Sequence, residues 1–249
     1  MRKIGIIMGC LVLGAVVFSV TMKKATDTPV VLSELREEDA APVVSTPTLL
    51  WAGPFASDAV TLLPNFESFK LSSDASEQNN CDFLSSAGFY TKENKPVGYF
   101  YAQEKEYRAG HESALFNGYI TANKMGVIRI TSILPRDPLV WGLQTGPVLR
   151  ENGKNSVLRI TNDKNARRVF AAVTGDNKLF IAVVYDPLSS FRGPKLEELP
   201  SFVSELEEKT GVVIADAINL DGGSASTFKN EEKYLTELSP VGSFLCIQK

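Results

Sequence analysis

Alternation of hydrophobic and polar residues predicts β-strands in much of the second half of the chain. In residues 126–134, isoleucine and valine alternate with polar side chains, and prolines end the run, which is typical of a strand. Two longer stretches each place a turn signal between hydrophobic arms and therefore predict β-hairpins. The predicted arms are 148–151 with 157–160, around Asn152-Gly153, and 169–174 with 179–185, around residues 175–178.

One helix is clearly predicted, because hydrophobic residues recur at helical spacing from Leu199 to Leu206 while glutamates occupy the other faces. Pro200 suits the first turn of this helix, and Gly211 suits the position just past its end. A single helix among many strands predicts an α+β fold. The sheet would be mixed or mostly antiparallel, with few helices and one domain.

The densest group of candidate functional residues lies at the end of a predicted buried strand, residues 212–218. The group consists of Asn219, Asp221, Gly222, Gly223, Ser224, Ser226 and Thr227. Glycines allow close approach of a backbone or a ligand, and each hydroxyl can donate or accept a hydrogen bond. A carboxylate, a flexible turn and several hydroxyls suit a sugar or phosphate site. The alternative is a tight turn in which Asp221 hydrogen-bonds its own backbone.

Residues 219–227 resemble the Asn-Leu-Asp-Gly-Gly-Gly-Ser-Ser-Thr signature of the phosphodiester glycosidase family. Ser224 and Ala225 stand where that family usually has glycine and serine. Upstream segments resemble the family in the expected order, with Ser86 in place of an asparagine. These segments are 86–90 (Ser-Ala-Gly-Phe-Tyr, where the family has Asn-Ala-Gly-Phe-Phe), 96–98, 144–149 and 166–169. The resemblance covers the chain from about Leu49 to its end.

The resemblance implies a hydrolase that cleaves the sugar C–O bond of a sugar phosphodiester, with Asp221 as acid or base. It also implies a substrate site formed by Arg168, Gly222, Gly223, Ser226, Thr227, Asn219, Thr145, Gly146 and Gly88. Arg168 would pair with the phosphate, and its neighbour Arg167 would face away, because adjacent strand residues point to opposite faces. A surface salt bridge for either arginine is the alternative. Asp186 and Asp82 are possible second carboxylates, and both could equally be turn residues.

Composition narrows the classes of function. The formal net charge is −3, so no strongly basic field draws the chain to nucleic acid. His111 is the only histidine, which argues against a histidine-based zinc site or a Ser-His-Asp triad. It lies in a polar stretch, residues 108–112, which indicates a solvated loop residue. No cofactor is predicted, although an oxygen-ligated divalent cation remains possible. A non-catalytic glycan- or sugar-phosphate-binding module is the alternative to a hydrolase.

The N-terminal residues predict a membrane segment and a linker. Residues 4–22 are uncharged and long enough to cross a bilayer, and lysine or arginine flanks them on both sides. Residues 1–24 are therefore predicted to be a signal anchor or a signal peptide. Residues 25–48 are acidic and proline-punctuated, and they form a predicted linker, with a short helix at 33–39 as its structured alternative. The domain, 49–249, would then lie in the periplasm or outside the cell.

For two features of the predicted domain, the cysteine pair and an aromatic run, the sequence leaves two interpretations open. Cys81 and Cys246 could bridge in an oxidising compartment or be two buried apolar residues. The aromatic run at residues 99–101 could stack on a sugar ring, although such aromatics more often fill a core.

Overall fold

A computed structural model describes residues 45–249, and β-strands make up most of their regular structure. The strands are β1 (Thr48–Phe55), β2 (Val60–Pro64), β3 (Phe83–Ser86), β4 (Phe100–Ala102), β5 (Lys105–Arg108), β6 (Gly118–Asn123), β7 (Ile128–Thr131), β8 (Leu139–Thr145), β9 (Val148–Glu151), β10 (Lys154–Asn155), β11 (Arg168–Thr174), β12 (Leu179–Tyr185), β13 (Ile214–Asn219), β14 (Phe228–Lys229), β15 (Tyr234–Leu235) and β16 (Ser243–Ile247). The α-helices are α1 (Ser72–Gln78) and α2 (Leu199–Thr210). Short 3-10 turns span Ser57–Ala59, Leu196–Glu198 and Gly223–Ala225.

The strands form three sheets. The first sheet has the order β1-β12-β11-β13-β9-β10, the second β15-β14-β3-β16-β2, and the third β5-β4-β8-β6-β7. Every pairing between these strands is antiparallel. With only two α-helices within residues 45–249, this architecture confirms the predicted α+β class and the predominance of antiparallel strands.

The centre of the first sheet is buried on both faces. In β11, Phe170 and Ala172 belong to a hydrophobic cluster with α2, whereas Val169, Ala171 and Val173 belong to a larger cluster with the other two sheets. The strand therefore reads as a nearly continuous apolar run, as doubly covered strands do. The helix lies on one side of the first sheet, and the second and third sheets lie on the other.

The helix matches its prediction closely. Leu199, Val203 and Leu206 are fully buried against the first sheet, which accounts for the helical spacing of the apolar residues. Gly211 follows the last turn at φ 67°, in the left-handed region where glycine carries no steric cost. The helix and β13 are consecutive, so the helix covers the strand that leads to the Asp221 turn.

Two local features differ from the prediction. The hairpin at Asn152-Gly153 closes with β10, whereas residues 157–160 are not a strand and were wrongly assigned as its second arm. Helix α1 was not predicted, because its sequence is polar and buries one apolar side chain, Ala75. The second predicted hairpin, β11 with β12, is confirmed.

Cys81 and Cys246 form a disulfide bond, with 5.4 Å between their Cα atoms. The bond ties the segment that follows α1 to the last strand, β16. Among residues 45–249, no helix has the length and apolar character needed to cross a membrane. The predicted anchor at 1–24 and most of the predicted linker at 25–48 lie outside the described residues.

Candidate functional site

The Asp221 turn lies where the first and second sheets meet. Leu220 N–H donates to the Val169 carbonyl at 2.8 Å, which continues the pairing of β13 with β11. One residue later, Asp221 N–H donates to the Ala87 carbonyl at 2.9 Å, just past β3 of the second sheet. The Ser86 hydroxyl donates to the Asp221 carbonyl at 2.8 Å. The serine that replaces the family's asparagine therefore holds the backbone of the candidate catalytic residue.

Asp221 is buried, with 8% of its surface exposed. Burial raises the pKa of its carboxyl well above the ordinary value, and the Gly222 N–H opposes this shift only in part. Such a carboxyl keeps its proton at pH values where an exposed aspartate has lost it. It is therefore suited to donate a proton.

The two glycines of the turn are required for different reasons. A side chain at Gly222 would place its Cβ 2.7 Å from the Arg167 carbonyl oxygen, too close for any other residue. Gly223 has open space around it but adopts φ 72°, in the left-handed region. Ser224 is exposed and its φ is not positive, so the fold places no conformational demand for glycine there.

The polar side chains predicted to bind substrate are mostly occupied with internal hydrogen bonds. The Ser226 hydroxyl donates to the Gly223 carbonyl at 2.7 Å, and the Thr227 hydroxyl donates to the Leu235 carbonyl at 2.9 Å. The Thr145 hydroxyl donates to the Asn219 carbonyl at 2.8 Å. All three hydroxyl-bearing residues are fully buried. In this geometry they fix the shape of the turn, and direct contact with a ligand stays a prediction.

Asn219, Gly146 and Gly88 also lie around the turn. The Asn219 side-chain amide donates to the Gly146 carbonyl at 2.9 Å, while its Oδ1 atom is buried and has no hydrogen-bond partner among the described residues. Gly88 N–H donates to the Ser243 hydroxyl at 3.1 Å, which fixes the loop after β3 against the second sheet. Three of the upstream segments that resemble the family, 86–90, 144–149 and 166–169, are therefore brought together at residues 219–223.

The predicted orientation of the two arginines is wrong. Arg168 lies on the helix-covered face and forms a salt bridge of 3.0 Å with Asp163, with a further hydrogen bond to the Pro194 carbonyl. Arg167 lies on the same face as Val169 and reaches the serine-rich turn, where its Nε donates to the Ser226 hydroxyl at 2.9 Å. The alternation along β11 was correct, but the face that holds the turn was misidentified.

Arg167 is a fully buried cation. Its Nη2 donates to the carbonyls of Ser226 and Thr236, and its guanidinium lies 5.0 Å from the centre of the Phe191 ring. Burial lowers the pKa of Arg167 to about 10, and the charge of Glu237 opposes that shift. The Nη1 atom is buried without a hydrogen-bond partner in the described part of the chain. Arg167 therefore holds residues 226 and 236 against the start of β11, a central strand of the first sheet.

Replacing Arg167 with lysine is expected to destabilise the fold more than the same change at Arg168. Lysine cannot reproduce the fork of donors that serves Ser226 and Thr236, and each lost bond from a charged donor costs about 1.5–3 kcal/mol. We expect Arg167→Lys to lower the free energy of unfolding in urea by about 2–4 kcal/mol. Arg168→Lys, which keeps a pair with Asp163, is the matched control with an expected loss of about 1 kcal/mol or less. Equal losses would contradict this role of Arg167.

Tyr90 and Glu237 were missed by the sequence interpretation. The pKa of the Tyr90 hydroxyl is raised, first by burial and then by the nearby charges of Asp221 and Glu237, while a hydrogen bond with Ser239 opposes the shift. The Glu237 carboxylate accepts hydrogen bonds from the backbone N–H and the hydroxyl of Ser72, both at 2.6 Å. The tyrosine at position 90, where the family pattern has phenylalanine, was the only available signal.

The two carboxylates considered from sequence lie elsewhere. Asp186 closes a turn through the Leu188 N–H, and Asp82 accepts a hydrogen bond from the Lys249 N–H near the chain end. Within residues 45–249, no group of three or more His, Cys, Asp or Glu side chains could hold a metal ion. His111 is exposed in its loop, as predicted.

Comparison with known proteins gives a family and a fold. A family model for phosphodiester glycosidases matches residues 79–248. The catalytic domain of zebrafish N-acetylglucosamine-1-phosphodiester alpha-N-acetylglucosaminidase, auto-inhibited by its pro-peptide, superposes with a TM-score of 0.62 at 15% identity, over 84% of this chain and 85% of that one. A hypothetical protein from Synechocystis superposes with a TM-score of 0.53 at 13% identity, over 81% of this chain and 59% of that one. No curated protein matches the chain by sequence.

Proposed function

Because the chain belongs to the phosphodiester glycosidase family, we propose that it hydrolyses the sugar–phosphate linkage of a sugar phosphodiester. The single observation that carries the proposal is the buried Asp221 at the family's signature turn, whose carboxyl has a strongly raised pKa. A protonated carboxyl of this kind is a general acid.

In the proposed reaction, the sugar C–O bond breaks and the bond electrons remain with the phosphate oxygen. Asp221 donates its proton to that oxygen, which leaves as a phosphomonoester. Water adds to the sugar carbon and loses a proton, and the Asp221 carboxylate takes up a proton to complete the cycle. Phosphate leaves more readily than an alcohol, so the acid assists a step that is already favourable.

Two features support a location of the domain in the periplasm or outside the cell. The chain begins with a predicted membrane segment, and the Cys81–Cys246 disulfide is typical of oxidising compartments. We therefore place the substrate in cell-envelope or exopolysaccharide metabolism. Recovery of the full-length chain in the soluble cytoplasmic fraction would exclude this location.

A non-catalytic glycan-binding module is the second candidate. It is favoured by one observation: among the described residues, no second carboxylate is hydrogen-bonded at the Asp221 turn, and nearby Glu237 is held by Ser72. A module of this kind would bind sugar phosphodiesters without releasing product.

Incubation of the full-length chain with a panel of sugar 1-phosphodiesters distinguishes the two candidates. We expect release of free sugar and a phosphomonoester. The reaction can be monitored by ³¹P NMR, because the phosphorus signal differs between a diester and a monoester. Binding of panel members without any product would support the module, and neither binding nor product would reject both candidates.

A further inference from the structure

A mostly apolar groove lies beside Pro147, in the connection between β8 and β9. It has a volume of about 330 Å³ and is lined mainly by Leu115, Pro147, Val157, Leu158, Arg159 and Ile160. The groove is connected to the site through Pro147, whose carbonyl accepts the Asn219 N–H at 3.0 Å. A ligand in this groove would therefore contact the residue that hydrogen-bonds the end of β13, two positions before Asp221.

One wall of the groove is held rigidly in place. Gly146 adopts φ 151°, and a side chain there would collide with the Leu115 carbonyl and with the Asn117 backbone. The Asn117 side chain accepts the Val148 N–H at 2.9 Å, which fixes the same wall to β9. The conformation of Gly146, one of the residues implied by the family resemblance, thus also shapes the groove.

The opposite wall presents apolar surface to solvent. Leu158 and Ile160 pack against the cluster beneath α2, whereas Val157 and Arg159, which alternate with them, are exposed. Val157 is 87% exposed, and Leu115 on the facing wall is 41% exposed. Water-exposed aliphatic side chains on both walls indicate a ligand with an apolar portion.

The groove also contains a cation that is available for an anionic group. Arg159 is exposed, and among residues 45–249 no carboxylate lies within salt-bridge distance of its guanidinium. An arginine beside aliphatic walls complements a phosphate that carries an alkyl chain.

A sugar ring suits a different part of the surface. A cleft of about 550 Å³ on the other side of Asn117 is lined by polar and aromatic residues, including His111, Phe116, Tyr119 and Gln144. Sugars need aromatic faces and several hydrogen-bonding partners, which that cleft offers and the apolar groove does not.

Building on the proposed function, we infer that the groove between Leu115 and Val157 holds the alkyl chain of the phosphate-bearing leaving group. The substrate class is then a sugar joined through phosphate to a lipid-like chain. Such amphipathic molecules reside at membranes, where the predicted N-terminal anchor would hold the domain. Arg159 contacts the phosphate, and the aliphatic walls cover the first methylenes of the chain.

Binding of alkyl phosphates to the full-length chain tests the groove without requiring turnover. We expect octyl phosphate, used below its micelle-forming concentration, to bind about tenfold or more tightly than methyl phosphate in titration calorimetry, because each buried methylene favours binding. The Leu115→Ser/Val157→Ser variant should lose most of this preference. Leu188→Ser/Val213→Ser, which changes a leucine and a valine that are also exposed but lie elsewhere, should keep it.

The possible outcomes separate this inference from the proposed function. Equal affinity for octyl and methyl phosphate, or equal loss in both double variants, would overturn the groove assignment even if sugar phosphodiesters are hydrolysed. A preference for octyl phosphate that depends on Leu115 and Val157, with no hydrolysis of any diester, would support the groove and reject the hydrolase.

Discussion

Replacing Asp221 with asparagine is expected to reduce hydrolysis of a sugar phosphodiester by about 10²–10⁴-fold while leaving the fold intact. Asparagine has nearly the same shape and can still accept the Gly222 N–H, but it has no acidic proton to donate. Steady-state kinetics with a diester identified in the panel measures the effect. Turnover within a few-fold of the unchanged protein would remove Asp221 from the reaction.

The pH dependence follows from the direction of the pKa shift. Because burial raises the pKa of Asp221, the carboxyl stays protonated above the range in which an ordinary aspartate ionises. Activity that needs this proton should persist through that range and fall as the pH rises through the raised pKa. An activity that instead increases over the same rise in pH would identify Asp221 as a base.

The same residue should contribute to stability with a definite sign. Below the unfolded pKa of about 3.9, both states are protonated and stability is unaffected by the shift. As the pH rises above that value, the unfolded chain loses the proton while the folded chain keeps it, so stability falls by at most about 1.4 kcal/mol per pH unit until the folded pKa is reached. Asp221→Asn has no such loss. Its stability relative to the unchanged protein, measured by urea unfolding, should therefore increase with pH.

Removing the disulfide is expected to have the largest effect on stability. Cys81 and Cys246 are separated by 165 positions, so the bond closes a loop that includes most of the domain. In the chain-entropy description, a loop of this length corresponds to about 5 kcal/mol of stability, mostly through restriction of the unfolded chain. The double variant Cys81→Ala/Cys246→Ala should lose about that much in urea unfolding under oxidising conditions.

Reduction of the unchanged protein provides the control for that variant. With a thiol reductant present throughout unfolding, the unchanged chain should lose stability by a similar amount, whereas the double variant should not respond. A loss below about 1 kcal/mol in both cases would show that the unfolded chain is already constrained without the bond.

Local signals in the sequence were sufficient for elements whose two faces differ. Helix α2 was found because its apolar residues meet the first sheet and its glutamates face solvent, and Gly211 marks its end. The strand prediction for residues 157–160 was wrong for a related reason. Leu158 and Ile160 are partly buried and alternate with exposed neighbours as in a strand, but they pack against the cluster beneath α2 without pairing with β9. Alternation reports burial, and burial does not require a partner strand.

The arginine assignment failed because β11 is covered on both sides. Phe170 and Val169 are equally buried, so hydrophobicity cannot tell which face of the strand is directed towards the Asp221 turn. The sequence placed Arg167 and Val169 on the same face correctly. Only the arrangement of the three sheets shows that this face, and not the helix-covered one, contains Ser226. Packing between sheets of this kind cannot be recognised from any local pattern in the sequence.

The position of β16 has a consequence for biosynthesis. This last strand lies between β2 and β3 in the middle of the second sheet, with Leu245 paired to Leu62 on one side and to Ser85 on the other. β2 and β3 are synthesised well before β16, so the second sheet can close only once β16 has left the ribosome. Until then β2 and β3 keep the edges that β16 will pair with unpaired. Pairing over so long a sequence separation slows folding, and the waiting strand edges are the part of the nascent chain most exposed to association with other chains.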